Sequence, residues 1–424
     1  MNRLVLIGNG FDLAHGLKTS YADFIHWYKA YRVELLGKEH SNISSDPLCK
    51  IELLERHALS IYASNFFWDN RNVSHEDFFD YIAQNEHEFK VTFSPFFGRI
   101  INGIENKGWV DIENEYYELL KAYSFPTNLL ATKEEMEANI KELNKQLAYL
   151  KQLLVEYLKE VTEDLFDTSR SIKDAIYAPF KKEDMSIEGE KLLDEHRKYW
   201  ESSKTGEALE EKVSKFGYEL RRAMNPVSSW RDSPKPDNVP WAFMLPDDIM
   251  FLNFNYTNTI KLYISRYYLE SNNHIHGNIK DLNSIIFGYG DELDNDFQKL
   301  KESNTPGCLQ NVKSIRYLEA PNYRRVLSFI ESAPFQVLIM GHSCGNSDRT
   351  LLNTIFEHKN CVSIKPYYYR DVEKGIDNYM ELVQNISRNF TDMKLMRDRV
   401  VNKTQCEPLV TTMPCPHNNI KLLS

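Results

Sequence analysis

The apolar run Leu4-Val5-Leu6-Ile7 leads straight into Gly8-Asn9-Gly10-Phe11-Asp12-Leu13. That junction constrains the fold more than any other stretch. A continuous apolar run ending in glycine is how a central parallel strand reads, because helices cover both its faces. Gly8 and Gly10 can take φ > 0 and let the backbone pass close to a ligand. Amide donors in such a turn, near a helix start, make a site for phosphate. The expectation is a nucleotide cradle built from this strand and its loop. The same pattern also suits a plain tight turn. A full dinucleotide fingerprint wants a third glycine, and Leu13 stands in its place. No clear second strand ending in an acidic residue follows, which points away from a redox nicotinamide cofactor.

Beyond the loop, Ser20 and Asp23 have the spacing of a capping box that starts a helix. Tyr21, Phe24, Ile25, Tyr28 and Tyr31 then share an apolar side. From about 31 to 245 the chain reads as mostly helical. Its most distinctive patch runs from Trp109 to Tyr117. There Asp111 and Glu113 are two apart and diverge on a helix, whereas Asp111 and Glu115 share a face. Such carboxylates could bind a metal or move a proton, or simply form a solvated helix face. Thr132 and Glu135 make a second capping box. Met136, Ile140, Leu143, Leu147, Leu150, Leu154 and Tyr157 follow at heptad spacing. A helix near 132–160 could thus pack within the chain or join two copies in a homo-oligomer. The proline-rich stretch from Asn225 to Pro240 ends the helical section.

Strand-like runs then return at Ile249–Phe254, His274–Asn278, Ser284–Asp291 and Phe335–Met340. Cys361–Ile364 and Met393–Met396 flank a helix through Ile376 to Ile386. Strands alternating with helices imply an α/β fold: an open, mostly parallel sheet with helices on both faces. The first strand is expected to join this later sheet. Residues 1–30 and 246–424 would then form one discontinuous nucleotide-binding domain, and 31–245 a large helical insertion.

Composition narrows the functions. A net charge of -10 over 424 residues argues against a broad nucleic-acid surface, though a local phosphate pocket remains open. The six cysteines include no Cys-x-x-Cys pair, which argues against a zinc site or a disulfide framework and for a reducing compartment. Gly8 and Asp12 interrupt the only apolar run near the start, so no signal peptide is expected, and no stretch suits a bilayer. A cytoplasmic protein is expected.

Polar and glycine residues gather just past the strand ends, where ligands bind in open α/β sheets. Gly341-His342-Ser343-Cys344-Gly345 matches the nucleophile-elbow pattern. Its triad partners are hard to place, because Asp348 is too near and His358 and His417 lack a strand-end setting. Ser343 fits better as a ligand-binding hydroxyl. His274 and His276 could be paired metal ligands on one strand face, or His276 a base beside an open pocket. Asn255 suits a ribose hydroxyl or a carboxamide. It could equally be a helix cap, as could Asn258.

Taken together, Gly-Asn-Gly-Phe-Asp-Leu through Tyr21, the Trp109–Tyr116 patch, Phe254-Asn255-Tyr256, His276-Gly277-Asn278 and Gly341-His342-Ser343 resemble the AbiH family of bacteriophage abortive-infection proteins. The order of motifs is also similar to the wider sirtuin-like fold, a Rossmann variant with members that degrade NAD in phage defence. The resemblance implies that Gly8, Asn9, Gly10, Phe11, Asp12, Gly341, Ser343 and Asp348 bind nucleotide. It implies that Asn255 and His276 act on the nicotinamide ribose, with NAD as substrate or ligand, no metal, and a phage-derived trigger. Thr257 stands where such proteins usually carry an aspartate, and Asn9 where a small alanine is customary. Two other functions fit the residues. One is a metal-dependent hydrolase or nuclease using Asp12, His274, His276 and Asp111 or Glu113. The other is a nucleotide sensor without turnover.

Overall fold

A computed structural model describes residues 1–55, 58–108, 110–126, 132–162, 168–202, 244–264 and 271–409. Two compact units emerge. The sheet unit comprises Met1–Leu17, Asp164–Ile286 and Arg316–Ser424; the helical unit comprises Lys18–Glu163 and Phe287–Ile315. These boundaries differ from 1–30, 31–245 and 246–424. The first long helix falls in the helical unit, residues 164–245 fall in the sheet unit, and 287–315 falls in the helical unit.

In the sheet unit, strand β1 (Asn2–Ile7) is followed at once by a short helix, α1 (Asn9–Leu13). The helical unit contributes α2 (Tyr21–Leu36), β2 (Ile43–Ser45), β3 (Cys49–Leu53), α3 (Leu59–Asp69), α4 (His75–Gln84) and β4 (Phe89–Phe93). It continues with α5 (Pro95–Lys107), α6 (Ile112–Ser124) and α7 (Lys133–Val161). The sheet unit resumes with α8 (Arg170–Tyr177), α9 (Ile187–Ser202), β5 (Ile249–Asn253) and β6 (Asn272–His274). After α10 (Asn295–Glu302) and α11 (Lys313–Arg316) come α12 (Asn322–Ser332), β7 (Phe335–Met340), α13 (Arg349–Phe356) and β8 (Cys361–Tyr367). The last helices are α14 (Tyr379–Arg388) and α15 (Met393–Arg399).

The main sheet is parallel, in the order β6-β5-β1-β7-β8. Counted along the chain, its strands therefore lie 3-2-1-4-5, the order of a doubly wound nucleotide-binding sheet up to its fifth strand. β1 is central, with Leu4 opposite both Met250 and Val337. Leu4 and Leu6 pack beneath apolar residues of α12, α13 and α14. Val5 and Ile7 face the other way, onto Phe11, α8, Ile260 and Tyr263. Burial on both faces explains the unbroken apolar run, and each such side chain stabilises the fold by roughly 2 kcal/mol. Arg3, buried in the same strand, donates to the carbonyls of Ile176 and Ala178 and to Gln336. Burial lowers its pKa to about 10.

Several expected elements differ. Cys49–Leu53 and Phe89–Phe93 pair within a three-stranded antiparallel sheet in the unit expected to be helical. The alternation in Cys-Lys-Ile-Glu-Leu is a strand signal, but it covers one short run among strong helix formers. Ser284–Asp291 forms no strand of the sheet; a short 3-10 turn spans Leu282–Ser284. Met393–Met396 opens a helix, because Asp392 caps the amide of Lys394. β8 runs past Ile364 through Lys365 and Pro366, since the buried Lys365 pairs with Asp184 at 2.9 Å. The capping boxes at Ser20 and Thr132 are present. The heptad residues Ile140, Leu143, Leu147, Leu150, Leu154 and Tyr157 are buried within this single chain. The stretch from Asn225 to Pro240 lies outside the described residues. Among the described residues no helix is long and apolar enough to cross a membrane.

Candidate functional site at the carboxyl edge of the sheet

Four strand ends meet at one edge of the sheet. Beyond β1, the amide of Gly8 donates to Met340 O at 3.2 Å, Gly10 to Gly341 O at 2.8 Å, and Phe11 to Gly8 O at 2.9 Å. A Cβ on Gly8 would lie 2.4 Å from His342 Cα, and one on Gly10 would lie 2.9 Å from Gly341 Cα. Gly341, at φ +77°, would bring a Cβ within 2.0 Å of Phe11 N. The glycines are therefore required where two strand-end loops pass backbone against backbone. At Gly8, Gly10 and Phe11, the amides expected to cradle a phosphate donate to the protein's own carbonyls. Phe11 is also fully buried, its ring against His15 and Tyr263. Asn9 is the exposed residue of the turn.

Asp12 points inward and accepts from Thr257 Oγ1 at 2.5 Å. Its other oxygen, Oδ1, is buried and makes no hydrogen bond. Burial raises the Asp12 pKa to about 6, against the opposing effect of the hydrogen bond from Thr257 and the polar side chains of Thr259 and Asn255. This explains Thr257: an aspartate there would face a second buried carboxylate, whereas the threonine donates to it. Beyond β5, Asn253 Oδ1 accepts from the Asn255 amide at 2.9 Å, and Asn253 Nδ2 donates to Thr257 O at 3.0 Å. This turn aims the Asn255 side chain at β1, where its Nδ2 donates to Gly8 O at 3.0 Å.

His274 and His276 do not share a set of partners. His274 lies among asparagines, its ring nitrogens 3.1–3.4 Å from polar atoms of Asn253, Asn255, Asn258 and Asn272. Burial lowers its pKa. His276 turns to the loop after β7: its Nε2 lies 3.2 Å from Asp348 Oδ1 and 3.3 Å from the Tyr317 hydroxyl. Its ring is parallel to that of Tyr317 and edge-on to Phe254. His342 approaches the same carboxylate, Nε2 to Asp348 Oδ2 at 3.5 Å, and its ring lies 4.1 Å from that of Phe254. His276, His342 and Asp348 are 4%, 6% and 8% exposed, so the cluster is closed to solvent.

Sequence reasoning placed Asn255, His276 and Asp348 here but missed His342, Tyr317 and Phe254. His342 stood in the Gly341-His342-Ser343 motif and as the variable position of an apparent elbow, without a role of its own. In that elbow Ser343 is exposed, its carbonyl accepting from Asn385, while Cys344 takes the left-handed conformation at φ +55°. Burial pushes the Cys344 thiol far up, which removes it as a nucleophile.

The carboxylates of the helical unit have other work. Asp111 caps α6 through the Asn114 amide at 3.0 Å. Glu113 is buried against Lys313 at 2.8 Å and accepts from the Gly288 amide. Trp109 lies outside the described residues. Among the described residues no three His, Cys, Asp or Glu side chains come together as a metal site.

The family model for bacteriophage abortive infection AbiH matches residues 4–369. No curated protein and no solved structure matches the chain. The match runs from the first strand of the sheet past the end of the fifth, through every residue of the edge cluster, and the chain belongs to the AbiH family of bacteriophage abortive infection proteins.

Proposed function

We propose that this chain serves abortive infection by hydrolysing NAD at the bond between nicotinamide and ribose. Family membership assigns the defence role. The reaction is supported by one observation: Asn255 follows β5 and His276 follows its neighbour β6, Asn255 bonded to Gly8 after β1 and His276 beside Asp348 after β7, at one edge of a 3-2-1-4-5 sheet. That edge is where such sheets take nucleotides.

Cleavage of the nicotinamide–ribose bond passes through a state with oxocarbenium character. The departing nicotinamide keeps the bonding electron pair, and water attacks the ribose carbon. His276 accepts the proton from that water, leaving ADP-ribose. Asn255 orients the ribose or the water through an amide that both donates and accepts. The Asp348 carboxylate holds His276 and stabilises the imidazolium that forms. Asn9 and Ser343, exposed on the two glycine loops, form the rim against the rest of the nucleotide. Because the histidines are buried, catalysis requires this edge to open for the ligand.

The test is NAD content in phage-infected cells carrying the wild-type chain, His276→Ala or Asn255→Ala. Wild type lowers NAD. The His276→Ala chain, folded and equally abundant, does so about 10²–10⁴ times more slowly, the usual worth of a general base. If wild-type cells keep the NAD level of cells without the protein, the reading is overturned.

A further inference from the structure

A small hairpin stands out just past the carboxyl end of β8. Its strands, β9 (Arg370–Asp371) and β10 (Ile376–Asp377), pair antiparallel with Asp371 opposite Ile376. The base is fixed. The Tyr369 amide donates to Asn378 Oδ1 at 2.7 Å, the Asn378 amide donates to Tyr369 O at 3.1 Å, and Lys403 pairs with Asp377 at 2.8 Å. The tip is open: Gly375, at φ +65°, has nothing within 4 Å of its missing Cβ. Along this short stretch Tyr369, Val372, Ile376 and Met380 are 39–60% exposed. A two-stranded hairpin is marginal by itself, and apolar side chains held out together on a rigid base suit a surface that is covered by another.

The charges of the hairpin say what covers it. Arg370, Lys374 and Lys403 balance Asp371, Glu373 and Asp377, so this region is neutral on a chain of net charge -10. Copies of such a chain repel one another least where the charge cancels. Lys374 pairs with Asp371 at 3.2 Å and Lys403 with Asp377. Arg370 and Glu373 are exposed and, among the described residues, join no ion pair. They have opposite signs on one hairpin. A contact around a two-fold axis therefore sets Arg370 of each copy against the partner's Glu373, twice. The heptad side chains of α7, the other candidate for such a contact, are buried within the single chain. We propose that this hairpin is the surface through which the chain pairs with a second copy of itself, with the apolar side chains at the centre and reciprocal Arg370–Glu373 pairs at the rim. The hairpin leads directly into α14, whose Asn385 and Asn389 donate to the carbonyls of Ser343 and Cys344 at 3.0 and 2.9 Å. One helix thus joins the contact to the loop after β7. The proposal is independent of the reaction at the sheet edge.

Sedimentation equilibrium of the full-length protein over the micromolar range tests it. Wild type is expected to sediment with twice the mass of one chain. The double variant Val372→Lys, Ile376→Lys is expected to remain monomeric throughout. Arg370→Glu and Glu373→Arg, made singly, each set like charges against each other in both pairs and should raise the dimer dissociation constant about tenfold. The two reversals together restore opposite signs and should bring it back near the wild-type value. These side chains are exposed, so the variants keep the wild-type circular dichroism spectrum and unfolding midpoint. A wild type that stays monomeric overturns the proposal. So does a dimer indifferent to the Val372→Lys, Ile376→Lys change, or a double reversal as weak as the single ones.

Discussion

Asp12 accepts from Thr257 on one oxygen and lacks a partner on the other, and its burial raises its pKa from 3.8 to about 6. The folded state therefore prefers the protonated acid. The stability that this preference contributes is fully present below pH about 4 and lost as pH rises through about 6. A shift of about two units corresponds to about 3 kcal/mol. Asp12→Asn removes the titrating group while keeping an oxygen for Thr257. Urea unfolding from pH 4 to 7.5 should show wild type losing about that much relative to the variant. Parallel stability profiles would show that Asp12 is ionised at no cost. At this scale the sequence was informative wherever a polar residue follows a buried run, as at Asn255 and His276. It could not disclose His342 or Tyr317. They reach His276 only because β1, β5, β6 and β7 end at one edge, and no local pattern encodes that meeting.

The element that organises the edge is a pair of loops, Gly8–Phe11 after β1 and Gly341–Gly345 after β7. Their contact is backbone on backbone, so their glycines act together. Gly341→Ala meets both a left-handed backbone at φ +77° and an overlap 2.0 Å from Phe11 N. Gly16, at φ +76°, has nothing within 4 Å of its missing Cβ. Gly16→Ala should then cost about 1–2 kcal/mol, the penalty of the backbone conformation. Gly341→Ala should cost about 3 kcal/mol or more, because a loop must move as well. Denaturant midpoints of the two variants check this, and equal losses would mean that the loops do not interlock. The glycine pattern itself was legible. What the glycines make room for was not legible, because a close approach by ligand and one by the protein's own backbone require the same residues. Helices were legible from capping boxes and heptads. The short strands Cys49–Leu53 and Phe89–Phe93 were not, since pairing with distant partners stabilises them more than their own composition does.

At the scale of the whole molecule, the first strand of the chain lies at the centre of the sheet, and its neighbours β5 and β7 begin at Ile249 and Phe335. The alternation of strands and helices announced a parallel sheet. The exchange of segments between the two units was not legible, because residues 287–315 join the helical unit through packing with α6 and α7 that is distant in sequence. The 3-2-1-4-5 order brings Asn255, His276, Asp348 and His342 to one edge. The function proposed for the chain depends on a nucleotide being held there. A crystal structure of the full-length protein soaked in ADP-ribose tests this most directly. The expected result is ligand density along the carboxyl ends of β1, β5 and β7, with its ribose within hydrogen-bond reach of Asn255 and His276. ADP-ribose bound only elsewhere on the protein, with the edge cluster still closed, would contradict it.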